Sequence, residues 1–359
     1  MSSAVQPHPS QGDLGQEKVS SEKLGILLLN LGGPDSLDAV QPFLYNLFAD
    51  PDIFRLPFSF ITQRLFATVI SSKRAPEAQK NYAHMGGRSP ILPLTETQAH
   101  LLKTYLGDRG HTAKIYIGMR YWHPFLQEAV AQILADNVTH LLVLPLYPQY
   151  SHTTTGSSLN ELQRQFQRQR PGWKEQIKLT VINNYHDHPR YLKALASTIA
   201  QGLQQHEWNC PPEQVNILFS AHSLPRRFVK RTKDPYPQQI EASARQVMEQ
   251  FFPKNPWVLA YQSKVGRMVW LGPQTDGMLH YFAATDEDNI LMVPISFVSD
   301  HVETLVEIDM EYLELAHELG LKYCHRAPAF NDNPLFIEAL GELTLETLRQ
   351  ASVPSLLVS

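Results

Sequence analysis

The sequence predicts an α/β protein of two halves with the same order of elements, each half built on a parallel sheet flanked by helices. Three observations predict it. Residues 24–29 (LGILLL) and 140–146 (HLLVLPL) are apolar without alternation, as strands covered on both faces are. Each such run ends in a Gly-, Ser- or Pro-rich loop and passes into a helical pattern, the alternation of parallel βα units. The alternation then restarts after a boundary near residues 183–188, although the two halves are not visible repeats of each other.

Residues 1–22 are rich in Ser, Gln and charge and lack the apolar stretch of a signal peptide, so they read as a disordered tail. The first half is placed at residues 23–185. Its opening strand, 24–29, runs into Asn30-Leu31-Gly32-Gly33-Pro34, where the Gly pair lets backbone approach a ligand; neither phosphate-loop pattern is present. Residues 40–70 are apolar and aromatic, broken by Pro42, Pro51 and Pro57. Two readings stand for them: a helix pair on the core, and an apolar lip over 43–66 for a flat greasy ligand or a membrane surface. Gly86-Gly87 and Ser89-Pro90 mark a loop, and a helix follows over 95–106. The strand 112–117 leads to Arg120-Tyr121-Trp122-His123-Pro124, a cation beside aromatics that suits a carboxylate and a ring, with His123 structural. After the strand 140–146, the hydroxyl-dense loop 147–158 can hold an anion and caps the helix that follows; 177–182 is the fourth strand.

The second half is placed at residues 186–345. A helix (190–204) precedes the strand 215–219, which ends in Ser220-Ala221-His222-Ser223. A helix (239–252), a strand (257–262) ending in Ser263-Lys264, and strands at 290–297 and 321–327 complete the sheet. A final helix starts at 334, and residues 346–359 are counted as a tail.

Composition narrows the function. The chain of 359 residues is long enough for two cores; its hydrophobic share of 43% and charged share of 18% are ordinary for a globular protein. A net charge of −4 argues against nucleic acid as a partner. Two cysteines, Cys210 and Cys324, with no CxxC pair, point to a reducing compartment and away from a cysteine-ligated zinc or iron–sulfur site. No apolar run is long enough to span a bilayer.

The chemistry collects around residues 290–309. Ser299-Asp300 start a helix that carries Glu303, Glu307 and Glu311 at i, i+4 and i+8, a column whose members repel by roughly 0.2–0.5 kcal/mol per pair. The plain readings are a solvated face, and a capping box in which Glu303 caps its own helix with Asp300. His222 changes the balance. It lies at a strand end, as His301 and Glu303 do, and in a parallel sheet such ends share one edge, where open α/β sheets bind ligands. Two imidazoles and a carboxylate there suit a borderline divalent ion such as Fe²⁺ or Zn²⁺, or an acid–base site.

At these residues the sequence resembles the ferrochelatases. The matching stretches are Leu29 to Pro34; Tyr82 with Gly86-Gly87 and Ser89-Pro90; Met119 to Pro124; Tyr147 to Ser151 with Thr154 to Ser158; Phe219 to Pro225; Tyr261 to Gly266; Trp270 to Pro273; and Ser299 to Leu305. They cover roughly residues 24–345 in order, each weak alone and together highly specific. The resemblance implies two Rossmann-like domains with a porphyrin cleft between them, and insertion of Fe²⁺ into protoporphyrin IX to give protohaem. It implies that His222 and Glu303 are the metal and proton-transfer pair, continued by His301, Asp300, Glu307 and Glu311. Leu31, Tyr82, Ser89, Arg120, Tyr121 and Trp270 match residues that hold or bend the macrocycle. No tightly bound cofactor is expected, iron being a substrate. Where some members carry a [2Fe–2S] ligand this chain has His152, and the C-terminal cysteines are missing, so no cluster is expected. Cyanobacterial members often end in an additional hydrophobic segment, and this sequence stops at Ser359. The expected state is a cytoplasmic monomer with a peripheral membrane contact through 43–66. Two alternatives stay open: coproporphyrin III as substrate, and a non-catalytic porphyrin or haem carrier, which needs an axial ligand but no base.

Overall fold

Among the described residues eight short strands form two sheets, the central strands almost wholly buried and the edge strands only partly. The computed structural model describes residues 23–53, 59–264, 266 and 268–352. The expected tails at 1–22 and 353–359 lie outside the described residues, as do Phe54, Leu56 and Phe58 of the lip and the side chains of Phe60 and Ile61.

The strands are β1 (Leu24–Asn30), β2 (Lys114–Met119), β3 (His140–Pro145), β4 (Lys178–Val181), β5 (Asn216–His222), β6 (Trp257–Gln262), β7 (Asn289–Pro294) and β8 (Tyr323–Arg326). One sheet runs β2-β1-β3-β4 and the other β6-β5-β7-β8, both parallel throughout. Two boundaries differ from the sequence reading in ways that bear on function. β5 continues to His222, paired in register with Gln262, so His222 is the last strand residue and not part of a loop. β7 ends at Pro294, opposite Ser220, and β3 at Pro145, opposite Leu29.

The strand order fixes where a ligand can enter. From β1 the chain crosses to β2 on one side, then returns to place β3 on the other. The crevice therefore opens at the carboxyl ends of β1 and β3, and in the second sheet of β5 and β7. The two sheets also share a core. Leu28, Leu142 and Leu144 of the first and Ile217, Phe219 and Val293 of the second belong to one continuous apolar cluster, with Leu192 and Ile199 of the helix Pro189–Gln205. Each of these fully buried side chains contributes about 1.5–3 kcal/mol.

The last helix, Pro334–Ser352, crosses back from the second half to the first. Phe336 and Leu340 enter the shared core, and Gly341 stands against Tyr105, where a Cβ would lie 2.2 Å from the ring. Tyr105 then donates to Glu342 at 2.6 Å. This helix runs past residue 345, so the first residues of the segment counted as a tail are helical; Leu345 is buried and Leu348 packs on the core.

Candidate active site

The site forms at the switch point of the second sheet. β5 delivers His222 at its end, and the segment after β7 delivers Glu303 as the first residue of a π-helical stretch, Glu303–Tyr312. Stretches with i→i+5 hydrogen bonds are uncommon and occur mostly at functional sites. The two side chains meet: His222 Nδ1 lies 2.8 Å from Glu303 Oε2. The His222 backbone is held as firmly. Its N–H donates to Ser296 Oγ at 3.1 Å, and its carbonyl accepts from the Tyr236 hydroxyl at 2.9 Å. With Nδ1 given to Glu303, Nε2 is the nitrogen left for a substrate, on a side chain 38% exposed to the crevice.

The protonation of the pair follows from its surroundings. Burial by itself depresses the His222 imidazole, but the Glu303 carboxylate and its hydrogen bond, with Glu307 behind, reverse this and hold it above the ordinary value. Burial pushes Glu303 up, and His222, then His301 and Ser263, pull it below the ordinary carboxylate range. Glu307 goes the opposite way, raised by burial and by the charge of Glu303. His301 is depressed by burial, and its Nδ1 lies 3.1 Å from the Ser299 carbonyl; donation there leaves Nε2 with a lone pair.

Glu307 is enclosed by donors. Oε1 accepts from the Ser263 N–H at 2.6 Å and the Tyr312 hydroxyl at 3.0 Å, and Oε2 from Gln262 at 3.0 Å and Ser263 Oγ at 2.5 Å. The same Ser263 Oγ is 3.2 Å from Glu303 Oε2, so one hydroxyl touches both carboxylates. Ser263 holds this place at φ 64°, a left-handed backbone that costs a non-glycine residue about 1–2 kcal/mol. The sequence reading did not assign Ser263 a role. The available signal was its place directly after β6, whose Gln262 is the register partner of His222.

The remaining acidic residues have other partners. Asp300 accepts from Arg326 at 3.1 Å, Thr304 at 2.9 Å and Asn331 at 2.7 Å, and its N–H donates to Asn331 at 2.8 Å. It fixes the turn before the π-helix, and the capping-box reading of Glu303 is corrected, since Glu303 reaches His222 and Ser263 instead. Glu311 is exposed, further along the same helix. Among the described residues no three His, Cys, Asp or Glu side chains are gathered as a ready-made metal cage. What the structure brings together is the His222–Glu303 pair, with His301 and Glu307 within electrostatic reach.

The first half contributes the facing wall. Tyr82, 5% exposed, has its hydroxyl pKa raised by burial and then by the charge of Glu303, so it lies within electrostatic reach of that carboxylate. Leu31 is half-buried just beyond β1, and its carbonyl accepts from the Tyr121 N–H at 2.9 Å, tying the ends of β1 and β2 together. Trp270 is half-buried and bridged antiparallel to Pro225, three residues after His222.

Three residues expected to meet the substrate also have partners within the protein. Arg120 pairs with Asp50 at 2.8 Å and donates to Ser157 at 2.8 Å. Tyr121, fully buried, donates to the same Asp50 at 2.7 Å. The Ser89 hydroxyl accepts from the Ile91 N–H at 3.3 Å at the start of the helix Ile91–Gly107. Ser89 also explains Gly33: a Cβ there would lie 2.5 Å from Ser89 Oγ, so internal packing requires this glycine.

The two halves are joined beside the site. Gln98 donates its amide toward the Asn331 carbonyl at 2.7 Å, Ser299 Oγ at 3.1 Å and the Val298 carbonyl at 3.3 Å, gripping the turn that carries Asp300. Asp234, buried, accepts from Ser151 at 2.9 Å and from the His152 N–H at 2.8 Å.

Fold and pair together define a two-sheet α/β protein of the chelatase-like type, with a hydrogen-bonded His–Glu pair at one switch point. The chain belongs to the ferrochelatase family: the ferrochelatase profile matches residues 23–348. It is 49% identical to the ferrochelatase of Synechococcus elongatus over 91% of this chain and 83% of that protein. It is 47% identical to those of Rippkaea orientalis (92% and 84% covered) and Synechocystis sp. (91% and 83%). Among solved structures, SirB from Bacillus subtilis with Fe³⁺ superposes with a TM-score of 0.54 at 12% identity, covering 92% of this chain and 97% of that one, a likeness of fold.

Proposed function

We infer that this enzyme inserts ferrous iron into protoporphyrin IX during haem synthesis, with His222 as the proton acceptor and Glu303 as its charged partner. The observation that carries the assignment is the 2.8 Å contact between His222 Nδ1 and Glu303. Metal insertion exchanges two pyrrole N–H protons for one Fe²⁺, so a base must stand on one face of the ring. Neutral His222 takes a proton at Nε2, and the carboxylate at Nδ1 stabilises the imidazolium that results. Glu303 and Glu307 give the departing protons an acidic neighbourhood, and His301, depressed by burial, offers a neutral ligand to the ion. Tyr82, Leu31 and Trp270 line the cleft from both halves and restrain the macrocycle.

The division into domains at 23–185 and 186–345 is part of this reading, the cleft lying between them. So is the absence of a cluster, since Cys210 and Cys324 are too few to supply four thiolates. A cytoplasmic monomer that touches a membrane through residues 43–66 completes it; Leu65 and Val69, 65% and 60% exposed one turn apart, support that contact.

The test is optical. Purified protein, protoporphyrin IX and anaerobic Fe²⁺ should show many turnovers of the porphyrin spectrum. Stoichiometric binding without turnover would assign the chain as a carrier, and preference for coproporphyrin III over protoporphyrin IX would change the substrate while keeping the chemistry.

A further inference from the structure

β5 and β7 separate just before they reach the His222–Glu303 pair. Their last ladder pair is Ser220 with Pro294, and the Ile295 N–H donates to the Ser220 carbonyl at 3.2 Å. In a parallel ladder the next β5 residue to bond toward β7 would be His222, through both its N–H and its carbonyl. The β7 backbone has turned away by then, since the Phe297 N–H donates to the Pro294 carbonyl at 3.4 Å. Both main-chain groups of His222 on that side therefore need other partners.

Two hydroxyls take them. The His222 N–H donates to Ser296 Oγ at 3.1 Å, and the Tyr236 hydroxyl donates to the His222 carbonyl at 2.9 Å. The two hydroxyl oxygens lie 2.7 Å apart. Tyr236 has one proton and the carbonyl takes it, so Ser296 is the donor between them. The three bonds close a ring that leaves His222 at its N–H, passes through Ser296 and Tyr236, and returns at its carbonyl. All three run the same way round, so each polarises the next. The tyrosine is itself well fixed. It opens the helix Tyr236–Phe251, is buried in the shared core, and donates its N–H to Asp234 Oδ1 at 3.0 Å. Asp234 Oδ2 is held in turn by Ser151 and His152 of the first half. Ser296 lies on the segment that goes on to deliver Glu303. The ring thus ties the strand end carrying His222 to the segment carrying Glu303.

We propose that Tyr236 and Ser296 are positioning residues for iron insertion, a role that rests on His222 being the proton acceptor. They hold the end of β5 so that His222 Nδ1 stays on Glu303, 2.8 Å away, and Nε2 keeps its aim into the crevice. Both hydroxyl protons are engaged within the ring, and both hydroxyls meet His222 through its backbone. They therefore act on the rate of proton removal and not on porphyrin binding.

The test is steady-state iron insertion by the full chain, with folding checked by circular dichroism. Tyr236→Phe keeps the buried ring and removes its hydroxyl; Ser296→Ala removes the other. Each should lower kcat by about tenfold, within the roughly hundredfold that a one-ångström misplacement costs, and leave KM for protoporphyrin IX within about twofold. The two together should cost little more than either alone, because one cut already opens the ring. Ser296→Thr restores a hydroxyl and should recover most of the rate lost in Ser296→Ala. In a Glu303→Gln background either substitution should cost clearly less than in the wild type, since the contact it serves is already weakened; a merely structural role would show no such coupling. Wild-type kcat in both single variants, a loss confined to KM, or losses that multiply in full with that of Glu303→Gln would overturn the proposal. Turnover abolished in His222→Ala but normal in Tyr236→Phe and Ser296→Ala would overturn it alone, whereas near-normal turnover in His222→Ala would remove His222 from its role and the two hydroxyls with it.

Discussion

Replacing Glu303 by Gln keeps the shape of the pair and removes its charge, so it tests the division of labour directly. His222 Nδ1 donates to a carboxylate at 2.8 Å in the wild type and would donate to a neutral amide oxygen in the variant. A hydrogen bond to a charged group contributes about 1.5–3 kcal/mol net. The His222 side chain is 38% exposed, so solvent screening favours the lower end, about 1.5 kcal/mol, or roughly tenfold in the rate of proton removal. The pH dependence gives an independent sign. His222 must be neutral to accept a proton, and Glu303 holds its pKa above the ordinary value, so wild-type activity falls as pH drops through that raised value. Without the carboxylate, burial dominates and depresses the imidazole, and the acid limb should move to lower pH while the plateau falls. Initial rates of anaerobic iron insertion across pH, with porphyrin binding followed by fluorescence quenching, measure both. An acid limb that stays put, or moves to higher pH, would refute the assignment of His222 as the base partnered by Glu303.

Four further outcomes are expected. His222→Ala should lose at least about two orders of magnitude in turnover while porphyrin still quenches on binding; near-normal rates would remove His222 from its role. Glu307→Gln should lower turnover less than Glu303→Gln, because Glu307 does not touch His222; the reverse order in a side-by-side assay would exchange the two carboxylates. Ser263→Ala and Ser263→Gly both remove the hydroxyl shared by Glu303 and Glu307 and should slow turnover alike. The Gly variant should melt higher by circular dichroism, since it relieves the φ of 64°, and a lower melting point would place the strain elsewhere. Asp50→Ala should destabilise the protein by about 3–5 kcal/mol in urea by stranding a buried Arg120, whereas a loss under about 1 kcal/mol would mean the pair is not a structural element.

The legible part of the fold was the part with a periodic or positional signature. β1, β3 and β7 are near-continuous apolar runs because both faces are covered, and that pattern survives in the sequence without any partner being known. His222 was legible for a related reason, a histidine at the end of such a run, and Glu303 because it follows the next central strand. Nothing local marks Asp50 as the partner of Arg120, since 70 residues separate them and each has the ordinary look of a surface charge. The internal partner of Arg120 and Tyr121 was therefore invisible in the sequence. The π-helix was hidden as well. Glu303, Glu307 and Glu311 have the spacing of an α-helical face, and the i→i+5 pattern depends on what the backbone meets after folding.

The four groups around the crevice differ in the direction their surroundings push them, as the proposed handling of two protons and a cation requires. Glu303 and His222 stabilise each other's charged forms, so the pair favours carboxylate beside imidazolium. Glu307, buried and facing Glu303, is pushed toward its protonated form, and His301, buried with its Nδ1 against a carbonyl, toward its neutral one. Sites in which titratable neighbours are pushed apart in this way are those that perform acid and base chemistry at one pH. The same logic explains why the Asp300 turn is gripped by Gln98 and Asn331 from two different elements. The opposing shifts of Glu303 and His222 depend on their 2.8 Å contact, and a turn free to move by an ångström would let both return toward their ordinary values. Rigidity at Asp300 is thus a condition of the electrostatics at Glu303, three residues away.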